Sequence, residues 1–260
     1  MPLRIGILGI TGKVGGLCAA ACAGPDLALV GGAGRPGTAK PAPAGVARFP
    51  DAASLAAACD VVIDFTHADL AVPHAEAVAA ARCAWVLGTS GIGAEGRAAI
   101  AAAAQVVPIV QAANFSPGMN LLLALAEHLA RLLPDEAYDA EIVDLFHRRK
   151  VDAPSGTAIA LGEAVARGRG VALDAVEEIG RAGHVGARGP AAIGFSSLRG
   201  GNGAGENTLL FTGRAEQTVL THRVTNPMVY ARGALQAARW VRGRAPGLYG
   251  MADVVAGEAP

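Results

Sequence analysis

Neither sign of charge is in excess in this chain: its 260 residues carry 22 basic and 22 acidic groups, a formal net charge of +0. Such a balance gives no electrostatic footprint for nucleic acid. Cysteine is sparse. Cys18, Cys22, Cys59 and Cys83 form no CxxC pair or other metal-ligand spacing, so they are read as reduced core thiols and no metal is expected. Long apolar runs are lacking too, because Pro, Gly and charged residues interrupt the alanine-rich stretches before they reach membrane-spanning length. The first residues enter a strand pattern directly, with no signal peptide expected ahead of it. Aromatics are only 4% while glycine and alanine are abundant, which suits close helix–sheet packing but carries little weight alone. The expectation is a soluble cytoplasmic protein of one large or two ordinary domains.

The elements that are present alternate. Residues 3–8, 27–32, 60–65, 84–88 and 106–110 read as short buried strands, separated by helices over 13–22, 51–58, 68–82 and 94–105. A Pro/Gly-rich stretch at 34–50 has little regular pattern. Continuous apolar strands between helices imply a parallel sheet covered on both faces. The pattern changes after Asn114: a leucine-rich helix at 117–133, a strand at 139–147, a helix at 155–167, then strands at 191–199, 206–214 and 216–225. Consecutive alternating strands imply an open mixed or antiparallel sheet. A final helix spans 228–241 and tails off into Gly/Pro-rich coil. The predicted division is a dinucleotide-binding domain over 1–116, an α+β domain over 117–226, and a segment over 227–260 that returns to the first.

Chemistry concentrates in Lys150-Val151-Asp152-Ala153-Pro154-Ser155-Gly156-Thr157-Ala158. A helix opening at Ser-Gly-Thr presents unpaired N–H groups and partial positive charge, which hold anions. Ser155 and Thr157 add hydroxyls, Gly156 permits close approach, and Lys150 supplies a full charge: a seat for a small carboxylate. The same run also reads as an ordinary capped helix. In the preceding cluster His147-Arg148-Arg149-Lys150, His147 and Lys150 adjoin the seat, whereas Arg148 and Arg149 fit a solvated face.

The turn Gly9-Ile10-Thr11-Gly12-Lys13-Val14-Gly15 follows a strand and opens a helix, as a pyrophosphate-binding turn must. Its GxxGxxG spacing is weak evidence by itself, but its position at the N-terminus, followed by a full βαβ unit, favours nucleotide binding over a glycine turn without one. No acid closes the second strand, where a ribose-binding carboxylate would favour NAD; Arg35 stands there instead, with Lys13 or Lys40 as candidate helpers. Arginine pairs with a 2′-phosphate, so NADPH is the expected cofactor, with NADH as the alternative and a solvated Arg35 as the bland reading. Gly88-Thr89-Ser90-Gly91 and Ala112-Ala113-Asn114-Phe115-Ser116 follow the fourth and fifth strands, where open α/β sheets bind ligands.

In this order, the glycine turn, Ile63-Asp64-Phe65-Thr66, the Gly88 and Ala113 loops and the specific Lys150–Ala158 run resemble dihydrodipicolinate reductases over essentially the whole chain. The resemblance implies a Rossmann-type doubly wound α/β domain with an inserted α+β domain for substrate binding and homotetramer assembly. It implies hydride transfer from NAD(P)H to a cyclic unsaturated dicarboxylate in diaminopimelate–lysine biosynthesis. Gly9, Ile10, Thr11, Gly12, Lys13 and Val14 would face the pyrophosphate and Arg35 the adenosine ribose. Gly88, Thr89, Ser90, Ala112, Ala113, Asn114 and Phe115 would line the nicotinamide. Ser155, Gly156 and Thr157 would hold a substrate carboxylate beside His147, Lys150 would be catalytic, and a hinge would lie over residues 114–118.

Two positions depart from that family's pattern. Phe146 stands where the first of two adjacent histidines serves as proton donor, and phenylalanine cannot donate a proton. Asp144, on the same strand face, replaces a glutamate. Pro227 stands where an arginine is common. Two alternatives therefore accompany the reductase reading: a paralogue reducing a different cyclic imine, and a weakly active nucleotide-binding protein.

Overall fold

The computed structural model describes residues 1–35 and 40–257 and divides into two compact units, Met1–Pro117 with Met228–Pro260, and Gly118–Pro227. In the first unit β1 (Leu3–Leu8), α1 (Lys13–Ala21), β2 (Leu27–Ala33), α2 (Ala52–Ala58), β3 (Val61–Asp64), α3 (Ala71–Ala81), β4 (Ala84–Leu87), α4 (Ala94–Ala103) and β5 (Pro108–Gln111) alternate as expected. A short 3-10 turn, Ala68–Leu70, precedes α3. Within the 34–50 stretch, residues 36–39 lie outside the described residues; the remainder is irregular apart from a bridge between Gly32 and Arg48.

The second unit begins with most of α5 (Pro117–Leu132), followed by β6 (Asp139–Phe146), α6 (Gly156–Arg169), β7 (Glu177–Ile179), β8 (Ile193–Arg199), β9 (Glu206–Thr212) and β10 (Gln217–Arg223). The chain then re-enters the first unit as α7 (Met228–Val241), β11 (Gly247–Tyr249) and α8 (Met251–Ala256). The coil expected after residue 241 is thus incorrect: β11 pairs in parallel with β5, Leu248 opposite Ile109. Three residues reading Gly-Leu-Tyr carry no period, so only the waiting edge of β5 reveals them as strand.

The first sheet has the order β11-β5-β4-β3-β1-β2 with every pairing parallel. Ile5, Ile7, Ile63 and Val86 pack with Cys18 of α1 and Ala234 and Ala238 of α7 on one face; Val62, Trp85 and Ile109 pack with Leu55, Val78 and Ile100 of α2, α3 and α4 on the other. A strand buried on both faces is predominantly apolar, which is why β4 reads as an unbroken run and β3 is interrupted only by Asp64 at its end. All four cysteines are free; Cys18, Cys59 and Cys83 are buried.

The second sheet, β10-β9-β6-β8-β7, is mixed: β6 runs parallel to β8 and antiparallel to β9. Its inner face joins Ile142, Phe195, Leu209 and Phe211 to Leu161 and Val165 of α6 and Leu122 and Ala126 of α5. Leu145, Leu198 and Val219 remain exposed on its strands.

Candidate active site

Unit one gathers its candidate residues at the carboxyl ends of the parallel strands. Gly9 adopts φ +79, and Gly12 N–H closes the turn on the Gly9 carbonyl at 2.8 Å. A Cβ on Gly15 would sit 2.1 Å from that same carbonyl oxygen. These glycines therefore bring the start of α1 tight against β1, and α1 has neither a side-chain cap nor an acid in its first turn. Its leading N–H groups suit an anion. Ile10 is buried in the core, so only its backbone belongs to this turn; Thr11 and Val14 are half-buried, and Gly12 and Lys13 exposed.

Arg35 lines a cavity of about 180 Å³ with Leu8, Gly34, Asp51, Thr66 and His74. Asp51 is occupied as the cap of α2, accepting from Ser54 N–H at 2.8 Å. Lys13 and Lys40 are not among the lining residues. On the neighbouring strands, Gly88 N–H donates to the Asp64 carbonyl at 2.8 Å and Ala112 N–H to the Leu87 carbonyl at 3.1 Å. Ser90 is exposed and Ala112, Ala113 and Asn114 are less buried than Phe115, whose ring is shut into the core edge-on to Phe65 with centroids 5.5 Å apart. Asn114 Oδ1 accepts from Ser116 N–H at 2.8 Å.

Two residues here escaped the sequence reading as functional groups. Asp64, 1% exposed, ends β3, and its Oδ2 meets His74 Nδ1 of α3 at 2.8 Å. Its Oδ1 accepts from Thr66 N–H at 3.0 Å, Thr66 Oγ1 at 2.6 Å and Thr89 Oγ1 at 3.5 Å. The only sequence signal was a carboxylate closing an otherwise apolar strand.

Unit two builds the second cluster around the start of α6. Ser155 is its N-cap: the hydroxyl accepts from Ala158 N–H at 3.2 Å and donates to Asn207 Oδ1 at 3.4 Å. Buried and engaged twice, Ser155 shapes the seat, while Gly156 is exposed and Thr157 half-buried at the open helix start. Ser155 N–H donates to Asp144 Oδ2 at 2.8 Å.

Asp144 is buried and answered by Arg199, whose guanidinium donates to Oδ1 at 2.9 Å and Oδ2 at 3.2 Å and to the Asp152 carbonyl at 2.7 Å. Burial pushes the Asp144 carboxyl up, but hydrogen bonds from Arg199, Ser197 and Ser155 together hold it below its ordinary value. Arg199 is the other group missed, because it stands opposite Phe146 only through the β6–β8 register.

Lys150 Nζ reaches both carboxylate oxygens of Asp152 at 2.8 Å and lies 4.8 Å from the centroid of the Phe146 ring. Arg199 lies 5.6 Å from the same centroid. Phe146 thus presents an aromatic ring with two cations beside it. His147 is half-buried, with Nδ1 enclosed and lacking a hydrogen-bond partner, whereas Arg148 and Arg149 are exposed. Chemically the cluster offers helix N–H groups, a hydroxyl and a lysine ammonium to an anion, with the lysine also able to give up a proton.

Comparison with known proteins agrees along the whole length. The pattern described as dihydrodipicolinate reductase, N-terminus, matches residues 3–115, and that for its C-terminus matches residues 118–255. The 4-hydroxy-tetrahydrodipicolinate reductase of Granulibacter bethesdensis is 53% identical over 253 residues, 97% of each chain, and that of Acidiphilium cryptum 51% identical over the same length and shares. Among solved structures, a dipicolinate-bound dihydrodipicolinate reductase from Paenisporosarcina sp. has the same fold, with 24% identity and a TM-score of 0.78 over 97% of this chain and 99% of that one. The chain belongs to the dihydrodipicolinate reductase family.

Proposed function

We propose that this chain reduces 4-hydroxy-tetrahydrodipicolinate to tetrahydrodipicolinate, a step of diaminopimelate–lysine biosynthesis, using NADPH in preference to NADH. The observation that carries the reading is the cluster at α6, where Lys150 stands beside an open helix start whose cap is tied to a buried Asp144–Arg199 pair. One substrate carboxylate is held by the leading N–H groups of α6 and the Thr157 hydroxyl, with Ser155 fixing their direction and His147 alongside. Lys150 exchanges its bond to Asp152 for the substrate and supplies the proton. Phe146 gives no proton; its ring face supports the lysine ammonium.

A nicotinamide dinucleotide fits unit one, where the close backbone packing at Gly9 and Gly15 sets the uncapped, acid-free start of α1 at the carboxyl end of β1. When bound, that cofactor supplies the hydride. The turn Gly9, Ile10, Thr11, Gly12, Lys13 and Val14 would hold its pyrophosphate; the N–H groups of Gly9, Ile10 and Gly12 are spent on Ala33 and Gly9 carbonyls and shape the turn, which leaves the contact to the start of α1. Arg35, in the cavity at the end of β2, faces the adenosine ribose and favours a 2′-phosphate. Gly88, Thr89, Ser90, Ala112, Ala113, Asn114 and Phe115 border the nicotinamide half.

Relatives of 44–53% identity all carry the same reductase name, which does not favour a paralogue acting on another imine or a weakly active binding protein. Self-association as a homotetramer fits the exposed Leu145, Leu198 and Val219. A cytoplasmic setting fits a biosynthetic enzyme with four free thiols; among the described residues no helix is long and apolar enough to cross a membrane.

The test is oxidation of NADPH, compared with NADH, by the freshly formed condensation product of pyruvate and aspartate semialdehyde. Turnover with the higher kcat/KM for NADPH is expected. Tight NADPH binding without turnover would return the paralogue reading.

A further inference from the structure

Three of the loops assigned to the dinucleotide, those after β1, β4 and β5, are not independent: each is built against the short segment Asp64, Phe65, Thr66. A Cβ on Gly9 would lie 2.5 Å from the Phe65 carbonyl oxygen, so the pyrophosphate turn rests on that carbonyl. A Cβ on Gly88 would lie 2.2 Å from the Phe65 ring, so the β4 loop rests on its side chain. Phe115, in the β5 loop, packs against the same ring in a T-shaped arrangement, centroids 5.5 Å apart. Thr66 N–H is shared between Asp64 Oδ1 at 3.0 Å and Thr89 Oγ1 at 3.3 Å, which joins the β3 and β4 loops directly.

What orients this segment is the Asp64 carboxylate. A buried carboxylate is tolerated only when its lone pairs are answered. Oδ1 is answered by the two threonines, and His74 Nδ1 is the partner of Oδ2. His74 is itself buried and lines the cavity that holds Arg35 and Thr66.

Resting on the dinucleotide reading above, we infer that His74 and Asp64 are positioning residues for the cofactor: the imidazole locks the carboxylate, and the carboxylate locks the β3 and β4 loops in the geometry that receives the dinucleotide. Neither residue has to touch the reacting atoms.

The experiment compares wild type, His74→Leu and His74→Asn by direct titration with NADPH and NADH, by steady-state kinetics in both substrates, and by thermal unfolding. Leucine strips Oδ2 of its donor, so the dinucleotide Kd and KM should rise about tenfold. The dicarboxylate KM at saturating cofactor should stay within about twofold of wild type. Asparagine, whose amide can reach the place of Nδ1, should recover most of the loss. A folded His74→Leu protein with unchanged dinucleotide Kd overturns the inference, as does an equal rise in both KM values or an asparagine variant no better than leucine. Should His74→Leu fail to fold, Thr66→Val, which removes the 2.6 Å bond to Oδ1, carries the same test with the same outcomes. Wild-type protein that binds neither dinucleotide overturns the functional reading and this inference with it; binding wild type beside an unperturbed folded variant overturns the inference alone.

Discussion

The Lys150 ammonium stands 4.8 Å from the centre of the Phe146 ring while its Nζ is held by Asp152 at 2.8 Å. An aromatic face stabilises the charged amine by roughly 0.5–2 kcal/mol, depending on how dry the contact is. Phe146 is therefore a support for the lysine at a place where the family resemblance leads one to expect an acid. The ring also fits its surroundings closely: a Cβ on Gly205 would come within 2.4 Å of it.

Phe146→His is expected to raise kcat on the dicarboxylate substrate, by up to about 10²-fold, because it adds a proton donor beside Lys150. Lys150→Gln should lower kcat by at least a similar factor while the dinucleotide Kd, measured by titration, stays at the wild-type value. An unchanged kcat in Phe146→His would mean that proton delivery by the existing groups does not limit turnover.

Arg35→Ala is expected to raise the KM for NADPH about tenfold and leave that for NADH nearly unchanged, since only the former carries the extra phosphate that a guanidinium pairs with. The ratio of the two kcat/KM values measures this directly. A parallel loss with both cofactors would place Arg35 against the adenine or ribose common to them.

Asp144 makes a prediction about acid stability. Its carboxyl is held below its ordinary value in the folded protein, so its contribution is fully present above the unfolded value of about 3.9 and fades as pH falls through the folded value. Asp144→Asn should therefore lower the Tm at pH 7, at a cost of about 3–5 kcal/mol, because Arg199 loses its buried partner. The deficit relative to wild type should shrink as the pH is lowered below about 4, as seen by calorimetry across that range.

Gly15 and Gly16 are neighbours with opposite expectations. At Gly15 a Cβ would sit 2.1 Å from the Gly9 carbonyl oxygen, whereas at Gly16 the nearest atom would be 3.9 Å away. Gly15→Ala should displace the turn, lower the Tm and raise the dinucleotide Kd by more than about tenfold. Gly16→Ala, inside α1, should fold normally and gain about 0.5–1 kcal/mol from its higher helix propensity. Calorimetry and dinucleotide titration of the two proteins separate the cases.

Most of the first sheet was legible in the chain because β4 and, up to Asp64, β3 are apolar runs between helices, and burial on both faces leaves that mark locally. The α6 seat was legible for the same kind of reason: an N-cap and the helix it opens are adjacent in sequence. The short strands β7 and β11 were not, since three residues carry no period and exist as strands only through β8 and β5. Likewise the sequence could nominate Ser155 as a donor but not reveal that Asn207 and Ala158 already engage its hydroxyl.

The sequence by itself determined the family, the alternation of elements and the two anion seats, since glycine turns and helix caps are written within a few consecutive residues. Only the tertiary structure decided how the polar groups around those seats are matched. Arg199 meets Asp144 across 55 positions and His74 meets Asp64 from the helix after its strand. Strand register and helix packing choose such partners, and a buried carboxylate must find one because water is no longer there to solvate it.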